Sequence, residues 1–285
     1  MLEIKAPAKI NLTLEILRKR PDGYHDLCSL VQTISLADKI FLEEADNTII
    51  LGDLPSWNSE ASLVAKAVKL IKERFSVVRG IKIKVEKHIP LASGLGGDSS
   101  DVAAAIKGLN RLWQLNEPLW RLAELGAELG SDVPFFFNGA TALMEGRGEV
   151  VSPLAPFPKR YVVLLFPPVK IPPCKTKELY SHISPEDYTD GSRTEKLVEG
   201  LILGQAVSPS DFYNAFEAPA RQVFPSLEIF EQAFRDAGAY RVHLAGAGPT
   251  LFTVVADQDL ARRICRSLGD KKLEACLTET LGGAL

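Results

Sequence analysis

The segment Pro90-Leu91-Ala92-Ser93-Gly94-Leu95-Gly96-Gly97-Asp98-Ser99-Ser100-Asp101 joins two stretches of different periodicity. Before it, Ile81, Ile83 and Val85 alternate with Lys82, Lys84 and Glu86, the period-two signature of a strand with one buried face. After it, Val102, Ala105, Ile106, Leu109, Leu112 and Trp113 recur at helical spacing. The stretch therefore reads as strand, glycine loop, helix. Gly94, Gly96 and Gly97 let the backbone approach a ligand closely, and the start of the helix offers free N–H groups and a positive dipole end. Ser99 and Ser100 add hydroxyl donors. A phosphate suits this arrangement. A tight connection with Asp98 as N-cap and Asp101 three residues on suits the same letters.

Two common nucleotide motifs are excluded. No G-x-x-x-x-G-K-[ST] occurs, and Gly94-Leu95-Gly96 is followed by Ser99 where a dinucleotide fingerprint needs its third glycine. Gly246-Ala247-Gly248 fails the same test, since it runs into Pro249-Thr250-Leu251.

Outward from the loop, residues 59–75 read as an amphipathic helix, and a further helix is expected over 117–129 with Asn116 as N-cap and Gly130 as its stop. Ser131-Asp132-Val133-Pro134 then turns into the apolar run Phe135-Phe136-Phe137. Near the N-terminus, Ile10, Leu12, Leu14 and Ile16 form one face of a strand, with Lys9, Asn11, Thr13 and Glu15 on the other. Pro21-Asp22-Gly23 is a strong turn signal that delivers Tyr24 and His25 just after a bend.

Prolines at 153, 156, 158, 167 and 168 mark a boundary between lobes, dividing the chain into residues 1–155 and 156–285 around a buried strand over 162–166. A polar loop is expected over 184–193. Beyond it the pattern is helix over 227–237, strand over 241–244, glycine turn, strand over 251–255 and helix over 259–268, an α+β order.

The 285 residues exceed what one core usually supports, and a 46% hydrophobic fraction is ample for two. Lys plus Arg total 33 against 36 Asp plus Glu, so no global basic field exists to collect nucleic acid or anionic lipid, and any anion site must be local. Cys28, Cys174, Cys265 and Cys276 are widely spaced without zinc-ligand partners, which reads as reduced thiols in a cytoplasmic protein with no metal centre of its own. Glu3 and Lys5 interrupt any signal-peptide core, and no apolar run reaches the roughly 18 residues that span a bilayer. Oligomeric state is not legible.

Ala6-Pro7-Ala8-Lys9-Ile10-Asn11-Leu12 followed by Arg20-Pro21-Asp22-Gly23-Tyr24-His25 resembles the first motif of the 4-diphosphocytidyl-2-C-methyl-D-erythritol kinase family. That family lies within the superfamily of galactokinase, homoserine kinase, mevalonate kinase and phosphomevalonate kinase. Gly94 onward is similar to the superfamily's ATP-binding second motif, Leu244-Ala245-Gly246-Ala247-Gly248-Pro249-Thr250 to its third, and Gly130-Ser131-Asp132-Val133-Pro134-Phe135 to the segment carrying the catalytic aspartate. The resemblance implies a two-lobed α+β fold, with a ribosomal-S5-like N-terminal lobe, a ferredoxin-like C-terminal lobe and the site between them. It also implies ATP with Mg²⁺ and phosphorylation of the 2-hydroxyl of the cytidyl-linked methylerythritol, a step of the non-mevalonate route to isoprenoids.

Residue by residue, the resemblance assigns catalysis to Lys9 and Asp132, and ATP binding to residues 90–100 with Lys87 and Asn110. It assigns the cytidyl substrate to Asn11, Tyr24, His25, Thr176 and Tyr180, and the third motif's role to Gly246, Gly248 and Thr250. Asp132 suits removal of a hydroxyl proton and Lys9 suits its partner; aromatic rings beside a histidine suit a flat pyrimidine with a polar edge. Two positions depart from the family. Asp98 stands where glycine is usual, and two accounts are open, capping of the helix, which is favoured, or holding Mg²⁺ directly or through water; Ser62 stands where asparagine is common near the ATP nucleoside. Another kinase of the same superfamily and a non-catalytic nucleotide-binding protein are the competing readings.

Overall fold

β1 (Leu2–Asn11), β2 (Thr13–Lys19) and β3 (His25–Ala45) open the chain in a computed structural model that describes residues 1–54, 57 and 59–283. β4 (Ile49–Gly52), α1 (Leu63–Phe75), β5 (Gly80–Glu86), α2 (Gly97–Leu112), α3 (Leu119–Ala127), α4 (Phe135–Asn138), β6 (Thr141–Gly146) and β7 (Val150–Pro153) complete the first lobe. The 21 residues of β3 give it room to pair with β1, β2, β5 and β6, all antiparallel. Ile81, Ile83 and Val85 of β5 point into a core that α1, α2 and the phenylalanines of α4 cover. This is the strand, loop and helix read from the sequence.

The β1–β3 register shifts between Pro7 and Lys9, an irregularity of the kind that re-aims a side chain. The expected strand over 10–16 is two strands, broken by a bend at Leu12. Its polar face is not solvated. Asn11, Thr13 and Glu15 are buried, the last two beneath Thr194, whose N–H donates to Glu15 Oε2 at 2.7 Å and whose hydroxyl meets that of Thr13 at 2.8 Å.

Two helix starts differ from expectation. α1 begins at Leu63, because the Ser62 side chain accepts from the N–H of Ala65 at 3.1 Å and so caps it. Asn116 does not cap α3. It adopts φ +56° outside the helix, and Pro118, with its preset φ, takes the cap position.

The chain leaves the first sheet after β7 and opens the second with β8 (Tyr161–Leu165). α5 (Lys175–Ser181), α6 (Ser192–Ile202), β9 (Tyr213–Asn214), α7 (Glu217–Val223), α8 (Leu227–Asp236), β10 (His243–Leu244), β11 (Leu251–Val255), α9 (Gln258–Asp270) and β12 (Ala275–Glu279) follow. The second sheet is antiparallel in the order β10-β11-β8-β12. Within the expected polar loop, a short 3₁₀ turn at Pro185–Asp187 precedes α6, whose amphipathic face had not been read.

The division between residues 155 and 156 is crossed twice. β9 returns to the first sheet as a parallel neighbour of β2, and Thr280 bridges to Ile34. An apolar cluster shared by Ile10, Leu12 and Leu95 with Val162, Leu164 and Phe252 joins the two sheets. Opposite that seam the lobes diverge and leave a cleft.

Candidate active site

The cleft holds a cavity of about 820 Å³ that takes its walls from both lobes. β1 ends in it, α2 starts in it, and α5 closes one side. The register shift in β1 places Lys9 so that its Nζ lies 3.3 Å from Asp132 Oδ2 and donates to Asn11 Oδ1 at 2.6 Å. Asn11 in turn donates to Ser29 Oγ at 2.8 Å. Lys9 is 7% exposed at its side chain and Asp132 39%, so a buried ammonium stands behind a carboxylate that reaches the cavity.

Two glycines make this packing possible. Gly96 is the N-cap of α2 at φ +74°, and a Cβ there would meet Phe136 at 2.9 Å and Lys9 Cγ at 3.0 Å. Gly94 has φ +88°, and a Cβ would lie 2.1 Å from the carbonyl oxygen of Ala245. The third motif thus lies directly against the glycine loop. The N–H of Lys9 also donates to the Leu95 carbonyl at 2.9 Å, tying β1 to the loop.

Among the described residues no side chain caps α2. Its first-turn amides are the kind of group that suits an anion, and Gly97, Asp98 and Ser99 all line the cavity. The expected capping by Asp98 is therefore overturned: Gly96 holds the cap position, and the Asp98 carboxylate, one residue inside the helix, lies 3.7 Å from Lys87 Nζ.

Lys87 is 1% exposed and sits 2.6 Å from Asp38 Oδ2 and 2.7 Å from Asp101 Oδ2, both also buried. Asp38 further accepts from the N–H of Ile89 at 2.7 Å, which pins the strand exit leading into the loop. Burial pushes the Lys87 ammonium down, but Asp101 and Asp38 outweigh it and hold it above the ordinary lysine value. Burial pushes Asp101 up to about 8, an effect that Lys87 opposes and Asp38 reinforces.

At the far end of the cavity His25 stacks on Tyr180, centroids 4.7 Å apart and planes 10° from parallel. Tyr180 also meets the edge of Phe216 at 4.9 Å. Burial, helped by Lys19, lowers the His25 value; burial, helped by Asp132, pushes the Tyr180 phenol up to about 12. Tyr24 is exposed beneath the Arg147 guanidinium, 4.9 Å from its ring centre, and Thr176 lines the cavity from α5.

Most of the residues named from the sequence meet here: Lys9, Asn11, Tyr24, His25, Lys87, Pro90, Leu91, Ala92, Ser93, Gly94, Gly96, Gly97, Asp98, Ser99, Asp132, Thr176, Tyr180 and Gly246 all line the cavity. Five do not. Leu95 is core, Ser100 is buried inside the helix start, and Gly248 and Thr250 lie behind the loop. Asn110 lies at the other end of α2, where its amide donates to the carbonyl and accepts from the N–H of Glu117, both at 3.1 Å, so it braces the α2–α3 junction. Lys175, Arg147 and Phe216 line the cavity without having been anticipated. Lys175 precedes Thr176 in the sequence, and Gly146-Arg147-Gly148 is a visible turn, but neither spelling reveals a long-range contact.

Comparison with known proteins agrees with this geometry. The chain matches the GHMP kinases N terminal domain over residues 62–140 and the GHMP kinases C terminal domain over 199–275. A 4-diphosphocytidyl-2-C-methyl-D-erythritol kinase from Dehalococcoides mccartyi is 48% identical over 282 residues, covering 99% of each chain. The chain belongs to this kinase family. The enzyme of the same name from Geobacillus kaustophilus is 38% identical, with 94% of this chain and 92% of the relative covered. A crystal structure of 4-(cytidine 5'-diphospho)-2C-methyl-D-erythritol kinase superposes with TM-score 0.84 at 33% identity, over 99% of this chain and 100% of that one. A homoserine kinase from Cytophaga hutchinsonii, at 19% identity and TM-score 0.77 over 99% and 95% of the two chains, shares the fold. No helix among the described residues is long and apolar enough to cross a membrane.

Proposed function

We propose that this chain transfers the γ-phosphoryl group of ATP to the 2-hydroxyl of 4-diphosphocytidyl-2-C-methyl-D-erythritol, the kinase step of the non-mevalonate route, in the cytoplasm. The observation that carries the reading is the Lys9–Asp132 pair, 3.3 Å apart and opening onto the same cavity as the uncapped start of α2. Phosphoryl transfer needs an acceptor oxygen in line, partial removal of its proton and neutralised phosphate charge. The α2 amides and glycine loop supply a cradle for phosphate oxygens. Asp132 accepts the hydroxyl proton as the oxygen–phosphorus bond forms and the bond to ADP breaks. Lys9, fixed by Asn11, orients that carboxylate and places a positive charge beside the acceptor oxygen.

Mg²⁺ fits as a companion of ATP: the half-exposed Asp98 carboxylate and the Ser99 hydroxyl, oxygen donors at the start of α2, would hold it, and it would neutralise phosphate charge. The stacked His25 and Tyr180 form the flat wall on which a pyrimidine ring rests, and Thr176 faces the same space. This wall favours a cytidyl substrate over mevalonate, homoserine or a simple sugar, and the proton acceptor is superfluous in a pure binding module.

The test is ADP release with ATP and 4-diphosphocytidyl-2-C-methyl-D-erythritol, with mevalonate as control. Turnover of the cytidyl substrate alone is the expected result; equal turnover of mevalonate, or none of either, overturns it.

A further inference from the structure

The cleft gathers more cations than its carboxylates answer. Lys9 is paired with Asp132 and Lys87 with Asp38 and Asp101. Lys175, at the start of α5, also lines the cavity, yet among the described residues it has no carboxylate within ion-pair distance. Its ammonium donates instead to two main-chain carbonyls, that of Ala92 in the glycine loop and that of Gly248 in the third motif. It therefore lies where α5, the phosphate cradle and the third motif converge. Burial, together with the positive charge of Lys9, pushes it down to about 8, as befits an ammonium with no counter-charge.

Resting on the kinase reading, we propose that Lys175 is a phosphate-binding residue whose ammonium, anchored on the Ala92 and Gly248 carbonyls, engages phosphate oxygens brought into the cleft. An ammonium has three N–H donors, and the two carbonyls leave one for a ligand. Phosphate oxygens carry formal charge, whereas carbonyls offer only partial charge, so a phosphate supplies the compensation that the two carbonyls do not. Lysine serves here as a compact point charge. The phosphate could belong to ATP or to the diphosphate of the cytidyl substrate, since Lys175 lies between the glycine loop and the Thr176–Tyr180 end of α5.

The bland alternative is a staple that joins α5 to the loop by hydrogen bonds and never meets a ligand. Lys175→Gln separates the two, because glutamine can still donate to a carbonyl but carries no charge. Dissociation constants for ATP and for cytidine 5'-diphosphate, measured separately by calorimetry, are expected to rise about tenfold for one of them, the loss of one charge-assisted contact. Lys175→Arg should restore most of that affinity. The ligand that weakens identifies the source of the phosphate. Affinities within about twofold of the parent for both ligands would overturn the assignment.

A second readout needs no substitution. Acylation of the Lys175 amine, followed by mass spectrometry, should be slowed by saturating ATP or cytidine 5'-diphosphate; equal labelling with and without each ligand would also overturn it. If the unaltered chain binds both ligands but fails to turn over the cytidyl substrate, the reaction assignment falls, while the role of Lys175 is still decided by these measurements.

Discussion

Two lysine–carboxylate clusters flank the glycine loop, and they differ in one respect. Lys87 borders the cavity, but its ammonium is buried between Asp38 and Asp101, whereas Lys9 and Asn11 stand behind an Asp132 that reaches the cavity. Both set a lysine ammonium against carboxylate, Asp38 and Asp101 in the first and Asp132 in the second. Burial makes the first a strut that holds the strand exit and helix start together, while exposure of a single carboxylate leaves the second open to the cavity, as the proposed proton transfer requires.

The sharpest way to break this contrast is to neutralise the open cluster. Asp132→Asn and Lys9→Met should each lower turnover on the order of 10³-fold with little change in melting temperature. Near-normal rates in a steady-state assay would remove that residue from the chemistry. The buried cluster should behave in the opposite way. Lys87→Met leaves the buried Asp38 and Asp101 without their cation and should destabilise the fold by about 3–5 kcal/mol in denaturant titration, with any loss of activity following loss of folded protein. A stable variant that has lost only ATP affinity would mean that Lys87 meets the nucleotide directly.

The wall at the far end of the cavity predicts a smaller, ligand-selective effect. Tyr180→Ala should raise the KM for the cytidyl substrate about tenfold while leaving the KM for ATP unchanged. An unaltered cytidyl KM would remove the stacking role.

The subtlest effect lies in pH. Asp101 is pushed up from the ordinary 3.8 to about 8, so the folded chain holds a proton there that the unfolded chain releases. Stability from this group is complete below the ordinary carboxyl range and is lost as pH rises toward about 8. The Lys87 contribution persists through that window, because its value is raised above 10.5. Asp101→Asn should flatten the fall in melting temperature across this range relative to the parent chain; identical slopes would show that the carboxyl does not titrate there.

Much of the site was legible from residues close together in the chain. Gly94 to Ser99, the Pro21-Asp22-Gly23 turn before His25, and the strand and helix on either side of the loop all act through contacts over a few residues, which periodicity and turn chemistry report. Asn110 was matched through a family position, which does not say which neighbour an amide finds; its amide is taken up by the Glu117 backbone, outside the cavity. Asn116 misled because Pro118, two residues on, competes for the same helix start.

The amino-acid order alone determined an α+β pattern and a glycine loop between a strand and a helix, since those signals rest on short-range backbone sterics and residue type, while the kinase family and the roles of Lys9 and Asp132 rest on resemblance to known motifs. Only the folded chain decided that positions 9 and 132 meet, that the Lys87 ammonium is buried while Asp132 is open, and that Lys175 stands beside the loop with no counter-charge among the described residues. Those outcomes depend on which surfaces the sheets and helices bury against one another, and burial is a property of the whole packing rather than of any stretch within it.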